Sequence, residues 1–255
     1  MNILYAGDSP AGGPANYLLG ILKFLKADVT HIPPGKSLEP RFLKKRYDAI
    51  ILSDFSRKDL PAVSERLIAE QVKSGAGLLM VGGWGSFSGP SGKWRGSLIE
   101  KLLPVSCLPK DDRRNIWSGL TIVRKTKHPM LGNLPFTNPP VLCGLNEVRV
   151  KKSAKVILAA RAIVGARSPR PGGETPPLQL TLNPKEYPLL VIDKNPDKRI
   201  AAFTTDFAPH WCGGLVDWGN RRKVLKVNSK IRIEVGDKYI KFISALILWL
   251  ARREF

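Results

Sequence analysis

Four short runs rich in aliphatic residues, at 2–6, 29–32, 47–52 and 77–81, are each closed by glycine, proline or aspartate, and helix-length stretches at 14–25 and 59–73 lie among them. Strands alternating with helices point to a parallel sheet covered on both faces, since a parallel crossover needs a long connection. The last run, Gly-Leu-Leu-Met-Val, contains no polar residue, as a central strand buried on both faces requires. Pro14 suits the first turn of one helix and Asp59 is expected to cap the next.

The second half is less regular. Residues 97–102 read as a helix, 120–123 and 155–160 as strands, and 237–252 as a closing helix. Residues 189–192 and 199–204 read as paired strands. The stretch 161–187 is rich in proline and glycine without a clean period, so an irregular insertion is expected there. No linker divides the chain, and one domain over residues 1–255 is the expectation.

At 255 residues the chain is long enough to bury a core without crosslinks. Its three cysteines, Cys107, Cys143 and Cys212, form no CxxC pair. Neither a disulfide framework nor a metal knuckle follows; buried free thiols are expected, and they fit a reducing cytoplasm. The first residues lack the basic and long apolar regions of a leader peptide. The most apolar segment, 243–251, is shorter than the roughly 20 residues that cross a bilayer. The formal charge of +20 draws anionic partners. It is spread along the chain with no basic tail and no aromatic-interleaved pattern, which disfavours specific nucleic-acid binding.

Ligands in open α/β sheets bind at the carboxyl ends of strands. Four loops qualify: 7–13, 53–58, 82–92 and 206–214. The first has glycines between strand and helix but no lysine where a phosphate loop needs one, and no dinucleotide-binding spacing. No cofactor is implied. Gly7, Asp8 and Ser9 remain candidates for holding a small anion at a helix start.

The third loop, Gly82-Gly83-Trp84-Gly85-Ser86-Phe87, resembles a sharp elbow that normally presents a nucleophile. None stands at its tip, so Ser86, alongside Ser88, is the nearest hydroxyl. A serine nucleophile needs a positioned base, and only His31, His128 and His210 exist. His128 reads as a turn residue and His31 as a strand end. The fourth loop brings Asp206, His210 and Trp211 together. An Asp–His pair there orients an acid/base or binds a polar ligand beside a stacking surface, or it stiffens the loop through its own backbone. Asp206, His210 and Cys212 do not follow a metal-ligand spacing, and no metal is expected.

Several of these segments together resemble one family: Gly7-Asp8-Ser9, Gly82 to Phe87, Gly92-Lys93-Trp94-Arg95, His128-Pro129, Gly144-Leu145-Asn146, and above all Thr205-Asp206-Phe207-Ala208-Pro209-His210-Trp211. The chain is similar to glutamine amidotransferase-like proteins, relatives of class I glutamine amidotransferases with a flavodoxin-like, mainly parallel sheet. The resemblance spans nearly the whole chain and implies a three-layer α/β fold. It also implies a Cys-His-Glu triad with the cysteine on a Gly-x-Cys-x-Gly elbow. This sequence has no cysteine in 82–89 and no His-x-Glu pair, so glutaminase activity by that route is not expected.

Two functions are carried forward. In one, Gly82, Gly83, Trp84, Ser86 and Phe87 floor a site for a small polar or anionic ligand, Asp206, His210 and Trp211 wall it, and Arg95 adds charge. Catalysis, if any, uses His210, Asp206 and Ser86. In the other, the chain is a non-enzymatic homo-oligomeric scaffold whose basic surface and exposed tryptophans (84, 94, 117, 211 and 218) recruit an acidic partner or RNA.

Overall fold

The computed structural model describes residues 1–10, 13–166 and 178–254. The first half runs β1 (Asn2–Gly7), α1 (Ala15–Phe24), β2 (Asp28–Ile32), β3 (Ala49–Ser53), α2 (Ala62–Lys73), β4 (Gly77–Val81) and α3 (Leu98–Leu102). Then follow β5 (Val105–Ser106), β6 (Arg113–Arg124), β7 (Val141–Asn146), β8 (Arg149–Val150), β9 (Ala154–Ala166), β10 (Gln179–Asp193) and β11 (Ile200–Phe203). The chain closes with α4 (Pro209–Val216), β12 (Arg222–Lys226), β13 (Arg232–Gly236) and α5 (Asp237–Leu250).

Nine strands form one sheet in the order β2-β1-β3-β4-β11-β10-β9-β6-β7. The five from β2 to β11 are parallel, and the remaining pairings are antiparallel. Because strand side chains alternate between faces, each central strand feeds two cores. Ile3, Tyr5, Leu79 and Val81 join α1 and α5 on one face, while Leu4, Ala6, Leu78 and Met80 join α2 and α3 on the other. This is the α/β, flavodoxin-like arrangement that the strand–helix alternation predicts, with an antiparallel extension on one side.

Two local expectations change. Asp59 does not cap α2: it ends a short 3-10 turn and accepts the N–H of Gly35 at 3.1 Å, and Pro61 occupies the N-cap with extended backbone. The irregular insertion at 161–187 is strand over much of its length. Residues 161–166 belong to β9 and 179–187 to β10, paired antiparallel; 167–177 lie outside the described residues. The register of that pair shifts between Leu182 and Glu186 and again after Pro188. Bulges accommodate the prolines that a regular ladder rejects and erase the period of two. Residues 190–192 pair with β11 as the sequence predicts.

Among the described residues no helix is long and apolar enough to cross a membrane. Of the five tryptophans considered for an interface, Trp94, Trp211 and Trp218 are buried, whereas Trp84 and Trp117 are exposed.

Candidate functional site

The strand ends of the parallel half meet at one edge, and β7 delivers its last residue there too: Asn146 N–H donates to Thr204 O at 2.8 Å. The glycine turn after β4 is fixed from several sides. Gly82 N–H is shared between Phe203 O at 2.8 Å and Thr205 O at 2.9 Å. The Asn146 amide clamps Gly83, accepting its N–H at 2.9 Å and donating to its carbonyl at 3.2 Å. The same amide donates to Asp112 Oδ1 at 2.7 Å, and Asp112 Oδ2 accepts the N–H of Ser88 at 2.8 Å. Asp54, in the left-handed region at φ 50°, accepts the N–H of Gly85. Trp94, fully buried, donates to both Phe55 O and Gly85 O at 3.0 Å.

So tethered, the turn throws Trp84 outward, with 54% of its surface exposed. The Arg113 guanidinium covers one ring face at 3.9 Å and is itself held by Asp111 at 2.7 Å. Asn146→Ala strips partners from a buried N–H, a buried carbonyl and a carboxylate together. It is expected to lower stability by about 2–3 kcal/mol, read as a shifted urea midpoint, and to loosen Trp84, read as a red-shifted emission.

Beyond β11, Asp206 Oδ1 accepts the N–H of Phe207 and that of Ala208 at 3.0 Å, and Pro209 opens α4. His210 Nε2 lies 3.0 Å from Asp206 Oδ2. The two are within ion-pair distance but not aligned for a hydrogen bond, and that buried oxygen accepts none among the described residues. His210 has a side chain 48% exposed, and Asp206 beneath it is buried. Trp211 donates from Nε1 to Asn115 Oδ1 at 2.9 Å, its indole lying against Gly144 so closely that a Cβ there would be 2.5 Å from Nε1.

Between the two loops is a hollow of about 450 Å³. Trp84, Trp117, Trp211 and His210 line it with Asn115, Ile116 and Cys143. A hollow of about 700 Å³ lined by β6, β9, β10 and residues 134–139 has neither carboxylate, imidazole nor thiol in its lining, and two others, of about 750 and 600 Å³, have lysines and aspartate but neither imidazole nor thiol.

Behind it lies a buried acidic pair. Tyr5 Oη donates to Asp8 Oδ2 at 2.6 Å, while Asp8 Oδ1 is buried without a partner among the described residues. The Ser53 hydroxyl is near enough to favour the Asp8 carboxylate but not aligned to donate to it. Burial first, and then the charge of Asp206, raises the Asp8 pKa well above the usual carboxylate range. Burial likewise pushes Asp206 up to about 7. Burial raises Asp112 to about 6. Among the described residues no group of three or more His, Cys, Asp or Glu side chains is arranged to hold a metal ion.

Residues 12–165 match the family model described as "Putative glutamine amidotransferase". The chain belongs to this glutamine amidotransferase-like family. A cytoplasmic protein of Salmonella typhimurium LT2 is 25% identical, over 83% of this chain and 90% of its own, with a TM-score of 0.61. A second Salmonella typhimurium cytoplasmic protein is 21% identical, over 97% and 98%, at 0.67. A ThuA-like protein of Bacteroides uniformis is 15% identical, over 98% and 91%, at 0.53. The last two share the fold. No curated protein matches the chain.

In this glutamine amidotransferase-like chain the elbow tip is Gly83-Trp84-Gly85, without a nucleophile. The structure gathers Trp84, His210 and Trp211 around the hollow, with Asp206 behind His210. Gly82 and Gly83 support the turn from below. Ser86 is not presented to the hollow: it is buried and its Oγ accepts the N–H of Asp54 at 3.1 Å, which makes it a brace rather than a nucleophile. Phe87 is packed in the core facing α2 and α3. Gly7 is a packing residue, and Asp8 belongs to the buried pair. Ser9 and Arg95 are exposed and outside the hollow's lining. Pattern reading passed over Asn115, Asp112, Cys143 and the clamping role of Asn146. Cys143, expected to be buried like the other two cysteines, is exposed on β7 between buried Leu142 and Gly144, while Cys107 and Cys212 are buried.

Proposed function

We propose that this glutamine amidotransferase-like protein acts in the cytoplasm by binding a small polar ligand with a flat ring face at the strand ends, and that it does not release ammonia from glutamine. The observation that carries this is the sharing of one hollow by Trp84, Trp117, Trp211 and His210. Aromatic walls bind flat faces, and the few polar groups set orientation. His210, with Asp206 against its Nε2, supplies an acid/base.

Two features argue against glutamine. The lining has no carboxylate for its α-ammonium group. Cys212 and Cys107 are buried, with thiol pKa values raised by burial, so neither supplies a thiolate at neutral pH.

Tryptophan quenching, titrated with monosaccharides, nucleosides and aromatic carboxylates, tests the reading. At least one class should saturate, and Trp84→Ala should weaken it about tenfold, the loss of one aromatic contact. No quenching by any class, or steady ammonia release from glutamine, would overturn it.

A further inference from the structure

At the other pole of the sheet, where β4 and β11 begin, the C-terminal ends of α2 and α3 and the loops before β9 and β11 enclose the hollow of about 750 Å³. Lys73, Lys101, Lys151, Lys194 and Lys198 line it, against two carboxylates, Asp193 and Asp197. Asp193 lies near enough to favour the Lys151 ammonium, and its Oδ1 accepts the N–H of Asn195 at 2.9 Å. Lysines near helix C-termini commonly hold the last carbonyls, but here other groups do that. Lys151 Nζ donates to Glu100 O and Leu103 O at 2.7 Å and to Lys101 O at 3.1 Å. At the end of α2 the carbonyls of Glu70, Gln71 and Val72 accept the backbone N–H groups of Ser74, Ala76 and Gly75. Lys194 Nζ donates to Lys152 O at 2.7 Å. Lys73, Lys101 and Lys198 are exposed, and among the described residues their side chains make neither a hydrogen bond nor an ion pair. The Arg252 guanidinium adds to the field, since it donates to Gly75 O at 3.2 Å and to Asp197 O, carbonyls of two lining residues.

We propose that this hollow is a binding site for a small anion carrying two or more linked phosphates, with Lys73, Lys101 and Lys198 as its charge partners. Three ammonium groups around one concavity, without counter-charges of their own, repel one another, and a multiply charged anion relieves that. A concave surface with apolar walls focuses their field, and Val72, Leu103 and Ile200 supply such walls from the core. The choice of lysine points to phosphate. An ammonium is a compact point charge that suits phosphate oxygens in many orientations, whereas planar carboxylates favour the arginine fork, and the lining has no arginine. The site shares no lining residue with the strand-end hollow, so the two stand independently.

Isothermal titration calorimetry with sodium tripolyphosphate at physiological salt is the test. The heat should saturate with single-site stoichiometry, and added salt should weaken the binding. The combined variant Lys73→Gln, Lys101→Gln and Lys198→Gln should lose affinity about tenfold or more, the loss of charge-assisted contacts to phosphate. It should keep the ligand-free Tm, because the three side chains hold nothing in the described fold. A control with Lys36→Gln, Lys226→Gln and Lys230→Gln removes the same charge from exposed positions outside the hollow and should bind as the wild type does. Absence of saturable heat would overturn the proposal. An equal loss in both triple variants would also overturn it, assigning the binding to the diffuse charge of +20. A generic RNA oligonucleotide that binds through the same three lysines, with no heat from tripolyphosphate, would replace the small-anion site with a nucleic-acid surface.

Discussion

Gly7→Ala should lower the stability of this protein by about 4 kcal/mol or more, roughly 10 °C in Tm for a chain of this size. Two independent costs combine. Gly7 has φ +117°, which L side chains rarely adopt. An added Cβ would also lie 1.6 Å from the carbonyl oxygen of Ser53. That oxygen belongs to β3, whose Ser53 pairs with Gly7 in the parallel ladder, so relief requires parting two central strands. Neither a rotamer change nor a water can absorb the overlap. Gly35→Ala is the control, since it has φ +76° but nothing among the described residues within 4 Å of its added Cβ. It should cost only about 1–2 kcal/mol, the backbone strain alone. Urea denaturation of both variants separates the terms, and equal losses would show that the close approach at Gly7 is not what fixes the residue.

The same residue shows what the sequence could and could not reveal. A glycine after a strand of the pattern Asn-Ile-Leu-Tyr-Ala reads equally as an anion-binding turn or a packing requirement. Which it is depends on Ser53, 46 positions away. The parallel half was legible because each strand carries its own burial pattern and each crossover its own helix. The antiparallel half was not, because β10 has prolines at 184 and 188 beside its register shifts, and bulges hide periodicity. In the site, the strand-end rule found the loops bearing Trp84 and His210. It could not find the Asn146 clamp, which reaches Gly83 across 63 positions. Nor could it find that Ser86 turns inward, which the Asp54 N–H decides. Long-range hydrogen bonding leaves no local trace in composition or period.

The stability of the wild-type protein should fall as pH rises from about 4 to about 7, and Asp8→Asn should remove much of that slope. An aspartate in an unfolded chain titrates near 3.9. In the fold, burial pushes Asp206 to about 7 and raises Asp8 well above its usual range. Across that window the folded state therefore binds more protons than the unfolded state. Stability then decreases with pH, is greatest below the unfolded pKa, and is lost as the pair ionises. Asp112, raised to about 6, adds the same sign. His31 and His128 oppose it: burial lowers both, so their contribution grows as pH rises through their unfolded value. The informative quantity is thus the difference between wild type and variant, in which those groups cancel. Asparagine at position 8 can still accept the Tyr5 hydroxyl, and its amide can donate to Ser53 Oγ, which has no partner among the described residues. At pH 8 the variant should be the more stable, while near pH 4 the two should converge. Urea midpoints at both values decide it: curves that run parallel across the whole range would mean that Asp8 keeps its charge in the fold, and that the buried pair stores no proton.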